Sequence, residues 1–171
     1  MATIIDALTV EHGLLRELFD EIDRLLPDSR TVSEIQLISR LVEGVLSRHA
    51  DLESNLAFAA LDHALAEKSQ LTRLHQDHQE IDGFLHRATV AADFPEAVRL
   101  LKAGLAASRA HFLREEQAVF PLLERLFDPT DLERLGTHAA HKASPLGQHG
   151  FSNALRGRLR KTAKPASQKR D

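Results

Sequence analysis

Two short stretches of the chain carry the same residue types at the same spacing. One reads His49-Ala50-Asp51-Leu52-Glu53 and the other His111-Phe112-Leu113-Arg114-Glu115. Each follows another histidine, His12 or His78, by 37 and 33 residues respectively. Residues four apart share one face of a helix, so each His-x3-Glu can aim an imidazole and a carboxylate at the same point. Together the two sets offer four imidazoles and two carboxylates. Carboxylates can span two metal ions, one oxygen on each, while histidines fill terminal positions. Glu53 and Glu115 are therefore expected to bridge a metal pair whose other ligands are His12, His49, His78 and His111. Imidazole with carboxylate suits iron or manganese. Structural zinc usually takes four closed ligands including cysteine, and calcium takes oxygen alone.

The plainer reading is two surface His–Glu pairs and two satisfied core histidines. Against it stands the number of such residues on apolar seams. Four buried imidazoles would be costly to desolvate unless every ring nitrogen found a partner, and two buried carboxylates would need paired charge. A cation answers both costs. His75, three residues before His78 and about 60° around a helix from it, is a further candidate, as ligand or as neighbour of the ligands. His63, His86, His138, His141 and His149 fall outside the repeated pattern and are expected mainly at the surface.

To position these groups the chain must be helical. Apolar residues recur at steps of three and four almost throughout, and nothing reads as a strand. A first helix is predicted after the N-cap Thr3, with Ile5, Leu8, His12, Leu15, Phe19, Ile22 and Leu26 on its seam. Pro27-Asp28-Ser29 ends it. Thr31-x-x-Glu34 resembles a capping box, opening a second helix with Ile35, Ile38, Val42, Val45, His49, Leu52 and Leu56 inside. A break is expected between Asp62 and Ser69. The third helix buries Leu71, Leu74, His78, Ile81, Leu85 and Ala92. Asp93-Phe94-Pro95-Glu96 starts the fourth, which carries Leu101, Ser108, His111, Glu115, Leu122 and Leu126 and is locally loosened at Pro121. After Asp128-Pro129, Thr130-x-x-Glu133 caps a short fifth helix near Asp131–His141. The economical architecture is all-α: an antiparallel up-down-up-down four-helix bundle over residues 1–142, then a basic tail over 143–171 with little regular order.

Composition narrows the functions. With 171 residues and 43% hydrophobic content the chain can build one domain with a core. Cysteine is absent, which excludes disulfides, thiolate metal sites, iron–sulfur clusters and thiol nucleophiles, and fits a cytoplasmic setting. Tyrosine is absent too, so no tyrosyl radical can form. No signal-peptide pattern or membrane-length apolar run is present. Seven Lys/Arg and one acid lie between Arg156 and Asp171, leaving 15 basic and 24 acidic residues in the remainder. Such a tail can contact nucleic acid or an acidic partner, but its shortness and its single aromatic, Phe151, argue against nucleic acid. No Glu-x-x-His, His-Glu-x-x-His, P-loop, Gly-x-Gly-x-x-Gly or Gly-x-Ser-x-Gly pattern occurs.

The stretch His111-Phe-Leu-Arg-Glu115-Glu116-Gln-Ala-Val-Phe120-Pro121 resembles the His-x3-Glu-Glu and Leu-Phe-Pro elements of the hemerythrin-like family, or HHE cation-binding domain. His49 to Glu53, followed by Asn55-Leu56-Ala57-Phe58, is a weaker copy without the second glutamate and the proline. The resemblance covers about Ile4 to Leu126. It implies a helical bundle around two non-haem iron ions held by His12, His49, Glu53, His78, His111 and Glu115, with manganese or zinc as other occupants. The third helix has His75 and His78 three apart, where the invertebrate oxygen carriers have histidines four apart. The fourth has Glu115 closer to His111 than those carriers place their aspartate. The implied function is accordingly binding or sensing of O2 or a related small oxidant. Peroxide- or nitric-oxide-reactive catalysis, iron storage or regulation, and a metal-free helical adaptor are the alternatives. No catalytic residue or oligomeric state follows from the sequence.

Overall fold

A computed structural model describes residues 2–65 and 69–143, and every element among them is helical. Helix α1 spans Ile4–Leu25 and α2 spans Val32–Glu53. A wide π turn, Ser54–Phe58, leads into the short α3, Ala59–Ala64. Then come α4, Ser69–Val90, and α5, Phe94–Arg114. A second π turn, Glu115–Val119, precedes α6, Phe120–Leu126, and α7 covers Pro129–Ala143. The expected break between Asp62 and Ser69 matches the end of α3 and the start of α4. The expectation of a basic tail falls almost wholly on residues outside those described.

The helix starts follow from local chemistry. Thr3 and Asp6 form a capping box, as do Thr31 and Glu34, each pair satisfying backbone donors that the first turn cannot. Asp93 Oδ1 accepts from the Glu96 N–H at 2.9 Å. The Glu96 carboxylate turns away to Arg99, so only half of the expected box is made. Helix α7 is capped by Asp128, whose carboxylate accepts from the Asp131 N–H at 2.9 Å. Pro129 is thus the first residue of α7, where its missing N–H costs nothing, and the Thr130 cap expected from the sequence is displaced.

Helix α4 packs along α5 and α2, α2 also touches α5, and α1 lies against α7. Two glycines permit close approach. A Cβ on Gly104 of α5 would come 2.9 Å from Leu85 Cδ2 of α4, and one on Gly136 of α7 would collide with the Ala2 carbonyl oxygen. The hydrocarbon interior is divided in two. One cluster contains Leu15, Phe19, Val42, Leu46, Ile81, Leu85, Leu105 and Phe112. The other contains Ile4, Leu8, Leu52, Phe58, Leu74, Phe120 and Leu123. The motif histidines lie between the two.

Several seam positions shift from their expected places. Ile4 is buried at the start of α1 and Ile5 only partly; Leu46 is buried and Val45 is 43% exposed; Ala91 is buried and Ala92 exposed. These are one-residue errors at ends and flanks. The larger change follows each motif glutamate. A π turn inserts a residue and advances the phase by about 100°. The inward residues are therefore Ala57, Phe58 and Leu61 after Glu53, and Val119, Phe120 and Leu123 after Glu115. Leu56 and Leu122 are only partly buried, and Leu126 is 42% exposed.

Candidate metal centre

Four helices bring six of the predicted groups to one place. His12 comes from α1, His49 and Glu53 from α2, His78 from α4, and His111 and Glu115 from the end of α5. Two donor sets emerge, His12–His49–Glu53–Glu115 and Glu53–His78–His111–Glu115, each with its ligand atoms mutually within 4.8 Å. Both carboxylates belong to both sets, which is the condition for bridging two cations.

The imidazoles turn Nε2 inward. His12 Nε2 lies 3.4 Å from Glu53 Oε1 and 3.3 Å from Glu115 Oε2. His49 Nε2 is 2.8 Å from Glu53 Oε1, and His78 Nε2 is 3.3 Å from Glu53 Oε2. His111 Nε2 is 3.4 Å from Glu115 Oε1 and 2.8 Å from His78 Nε2. Two outer nitrogens are hydrogen-bonded to carboxylates, and that of His111 faces one at longer range. His12 Nδ1 is 2.9 Å from Glu116 Oε1, and His49 Nδ1 is 2.8 Å from Glu11 Oε2. His111 Nδ1 stands 3.6 Å from Asp77 Oδ2. Asp77 is held by Arg114, and Arg73 Nε is 3.2 Å from its other oxygen; Arg16 holds Glu116 at 2.9 Å. A carboxylate on Nδ1 fixes the tautomer that leaves the Nε2 lone pair free for a metal.

The residues fit a pair of cations on two observations. First, buried polar atoms are orphaned here: His49 Nε2, Glu53 Oε2 and both oxygens of Glu115 make no hydrogen bond of ordinary geometry. Such atoms are expensive to bury unless something else satisfies them. Second, separations of 3.3–3.4 Å are long for hydrogen bonds but suit ligands sharing one ion. The 2.8 Å His78–His111 contact requires a proton or a cation between two nitrogens that otherwise both present lone pairs.

Without a cation, protons hold the charge. Burial works against the imidazolium of His12, but Glu115, Glu53 and Glu116 outweigh it and raise its pKa to about 9. His49 is likewise disfavoured by burial and raised to about 10 by Glu11 and Glu53. Burial, then the neighbouring charge of Glu53, push Glu115 up to about 8. Burial would raise Glu53 as well, but His111, His12, His49 and His78 hold it well below the usual carboxylate range. One carboxylate of the pair thus stays ionised while the other keeps its proton.

His75 is not brought into either donor set. It is exposed and meets the Phe58 ring edge-on at 5.7 Å. Its 60° offset from His78 carries it off the inner face. His63, His86 and His138 are exposed, His86 facing Glu43 at 3.6 Å and His138 Nδ1 donating to the Arg134 carbonyl at 2.8 Å. The side chain of His141 and all of His149 lie outside the described residues. Sequence reasoning missed Glu11, Asp77 and Glu116. A signal existed: an acid directly precedes both His12 and His78, and a second acid follows Glu115.

The sequence model of the family described as the Hemerythrin HHE cation binding domain matches residues 3–140. Comparison with curated proteins and with solved structures finds no match.

Proposed function

The chain belongs to the hemerythrin HHE cation-binding family, and we propose that it holds two non-haem iron ions and binds or senses O2 or a related small oxidant. The observation that carries this reading is the sharing of Glu53 and Glu115 between two histidine pairs. His12 and His49 would hold one ion, His78 and His111 the other, and the two glutamates would bridge them. When bound, such a pair supplies electrons and an open position to a small oxidant. Manganese and zinc are accepted by the same donor types.

The chain's own residues do the rest. Glu11 and Glu116 orient the rings of His49 and His12. Leu15, Leu52, Phe58, Phe112 and Phe120 are buried around the donors and exclude bulk water. A dry enclosure slows loss of a reduced metal pair to side reactions. The short connections Leu26–Thr31 and Ala91–Asp93 support an antiparallel up-down-up-down arrangement of α1, α2, α4 and α5. The seating of Gly136 on Ala2 supports including α7 in the same unit.

The test is metal analysis of protein expressed without added metal, then anaerobic iron(II) loading and exposure to O2 or peroxide. Two irons per chain and a change in visible absorption are expected. No uptake, or uptake with no spectral response to either oxidant, overturns the proposal. Steady turnover of peroxide or nitric oxide would make the protein an enzyme rather than a binder or sensor. No described helix is long and apolar enough to cross a membrane; we place the protein in the cytoplasm.

A further inference from the structure

The two halves of the centre can be superposed in sequence: α1 onto α4 by an offset of 66 residues, and α2 onto α5 by 62. This pairs His12 with His78, His49 with His111 and Glu53 with Glu115. It also pairs the walls, and there the halves differ. Phe112, next to His111, stacks on the His12 ring at 4.3 Å; its counterpart next to His49 is Ala50. Glu116, next to Glu115, holds His12 Nδ1; its counterpart next to Glu53 is Ser54, too short for that bond. Arg16 clamps Glu116 and lies 5.7 Å over the Phe112 ring; its counterpart is the exposed Asp82.

Two of these differences, Ala50 and Asp82, fall beside an opening on the His78 side. A crevice of about 10 Å³ lies there, lined by His49, Ala50, His78, Asp82 and His111 and bounded also by Phe112. That is room for about one water-sized molecule. His78 is 14% exposed, whereas His12 is fully buried and the other four donor side chains are at most 4% exposed. Among the described residues no carboxylate is hydrogen-bonded to His78 Nδ1. The missing ring of Ala50 leaves the space, and the Asp82 carboxylate beside it favours approach of a cation.

We infer that the crevice between Ala50 and Asp82 is the port through which the centre exchanges cations, and that the ion on His78 and His111 is the labile one of the two. The inference rests on the metal-pair reading above. It assigns unequal exchange to two positions whose donor atoms are the same.

The experiment uses the full chain loaded with two iron(II) ions under argon and mixed with excess colorimetric ferrous chelator. Release is expected in two phases of one ion each, the faster at least about ten-fold quicker. Ala50→Phe should slow the fast phase about ten-fold. Ala50→Leu should slow it less, and it guards against misfolding of the larger variant. Ser54→Glu, which supplies the absent carboxylate, should also slow the fast phase, and Glu116→Ser should speed the slow one. Loss of both ions at a single rate, or a fast phase untouched by both Ala50→Leu and Ser54→Glu, overturns the port. A chain that takes up no iron at all instead overturns the reading under Proposed function.

Discussion

Around His12 stand Phe112, Phe120, Glu116 and Arg16; around His78 stand Phe58, Ala50 and Asp82. Both histidines keep one aromatic partner from beside the opposite motif, Phe120 at the start of α6 and Phe58 at the end of the first π turn, with ring centroids 5.6 and 5.8 Å apart. Beyond that ring the environments diverge. The donor atoms must satisfy cation geometry in both halves, so the same types recur at the same spacing. The walls need only keep water out, and that job tolerates Phe in one half and Ala in the other. An internal repeat therefore preserves the chemistry of the centre without preserving its accessibility.

The strongest way to break the comparison is to remove a shared group. Glu53→Ala or Glu115→Ala should abolish binding of the pair, because each glutamate serves both halves. Metal analysis should then show one iron per chain or fewer. Two retained ions would mean that the carboxylates do not bridge.

Metal removal tests whether both halves depend on the cations. In the metal-free protein, His12 and His49 have folded pKa values raised to about 9 and about 10. Their stabilisation is fully present below the unfolded value of about 6.5. It fades as pH rises through those folded values. Glu115 acts with the same sign, its contribution present below 4.5 and gone by about 8. Glu53, depressed, acts oppositely and matters only on the acid side. The metal-free Tm should therefore fall between about pH 6 and 10. Cations replace the same protons and bind more tightly as pH rises, so the gap between loaded and metal-free Tm should widen. A gap independent of pH would contradict the assignment.

A smaller effect sharpens the contrast in the outer groups. Glu116→Gln keeps the size but loses the charge that orients His12, and should weaken one ion about 10–100-fold in a competition titration. Glu11→Gln should do the same through His49. Equal weakening of both ions would show that the halves are not separable. Smallest of all, His75→Ala should leave two irons bound and change stability by no more than about 0.5 kcal/mol, as for an exposed residue. Loss of an ion in that variant would return His75 to the ligand set.

Much of this was legible in the sequence, for identifiable reasons. The all-helical fold follows from apolar steps of three and four, and Thr3, Thr31 and Asp93 announce helix starts by reaching donors three residues on. The six candidate donor residues stand out because His-x3-Glu occurs twice and each copy follows another histidine. The slip after Glu53 was not legible. Its π turn contains neither Gly nor Pro, so nothing local distinguishes it from ordinary helix, whereas Pro121 marks the second. The place of Asp77 before His78, matching Glu11 before His12, was legible; its burial was not, because that depends on Arg114 of another helix. The Ala50–Phe112 difference is present in the sequence but acquires meaning only from the fold, which stacks Phe112 on His12 and sets Ala50 beside His78 in the crevice.

One further consequence concerns the divided interior. The two hydrocarbon chambers meet at a polar partition, and the His12 ring lies stacked between Phe112 from one and Phe120 from the other. A cation pair in that partition would act as mortar as well as reagent. With it stripped out, backbone amides on the two sides should exchange with deuterated solvent as separate blocks, each opening on its own schedule, where the filled protein opens as one.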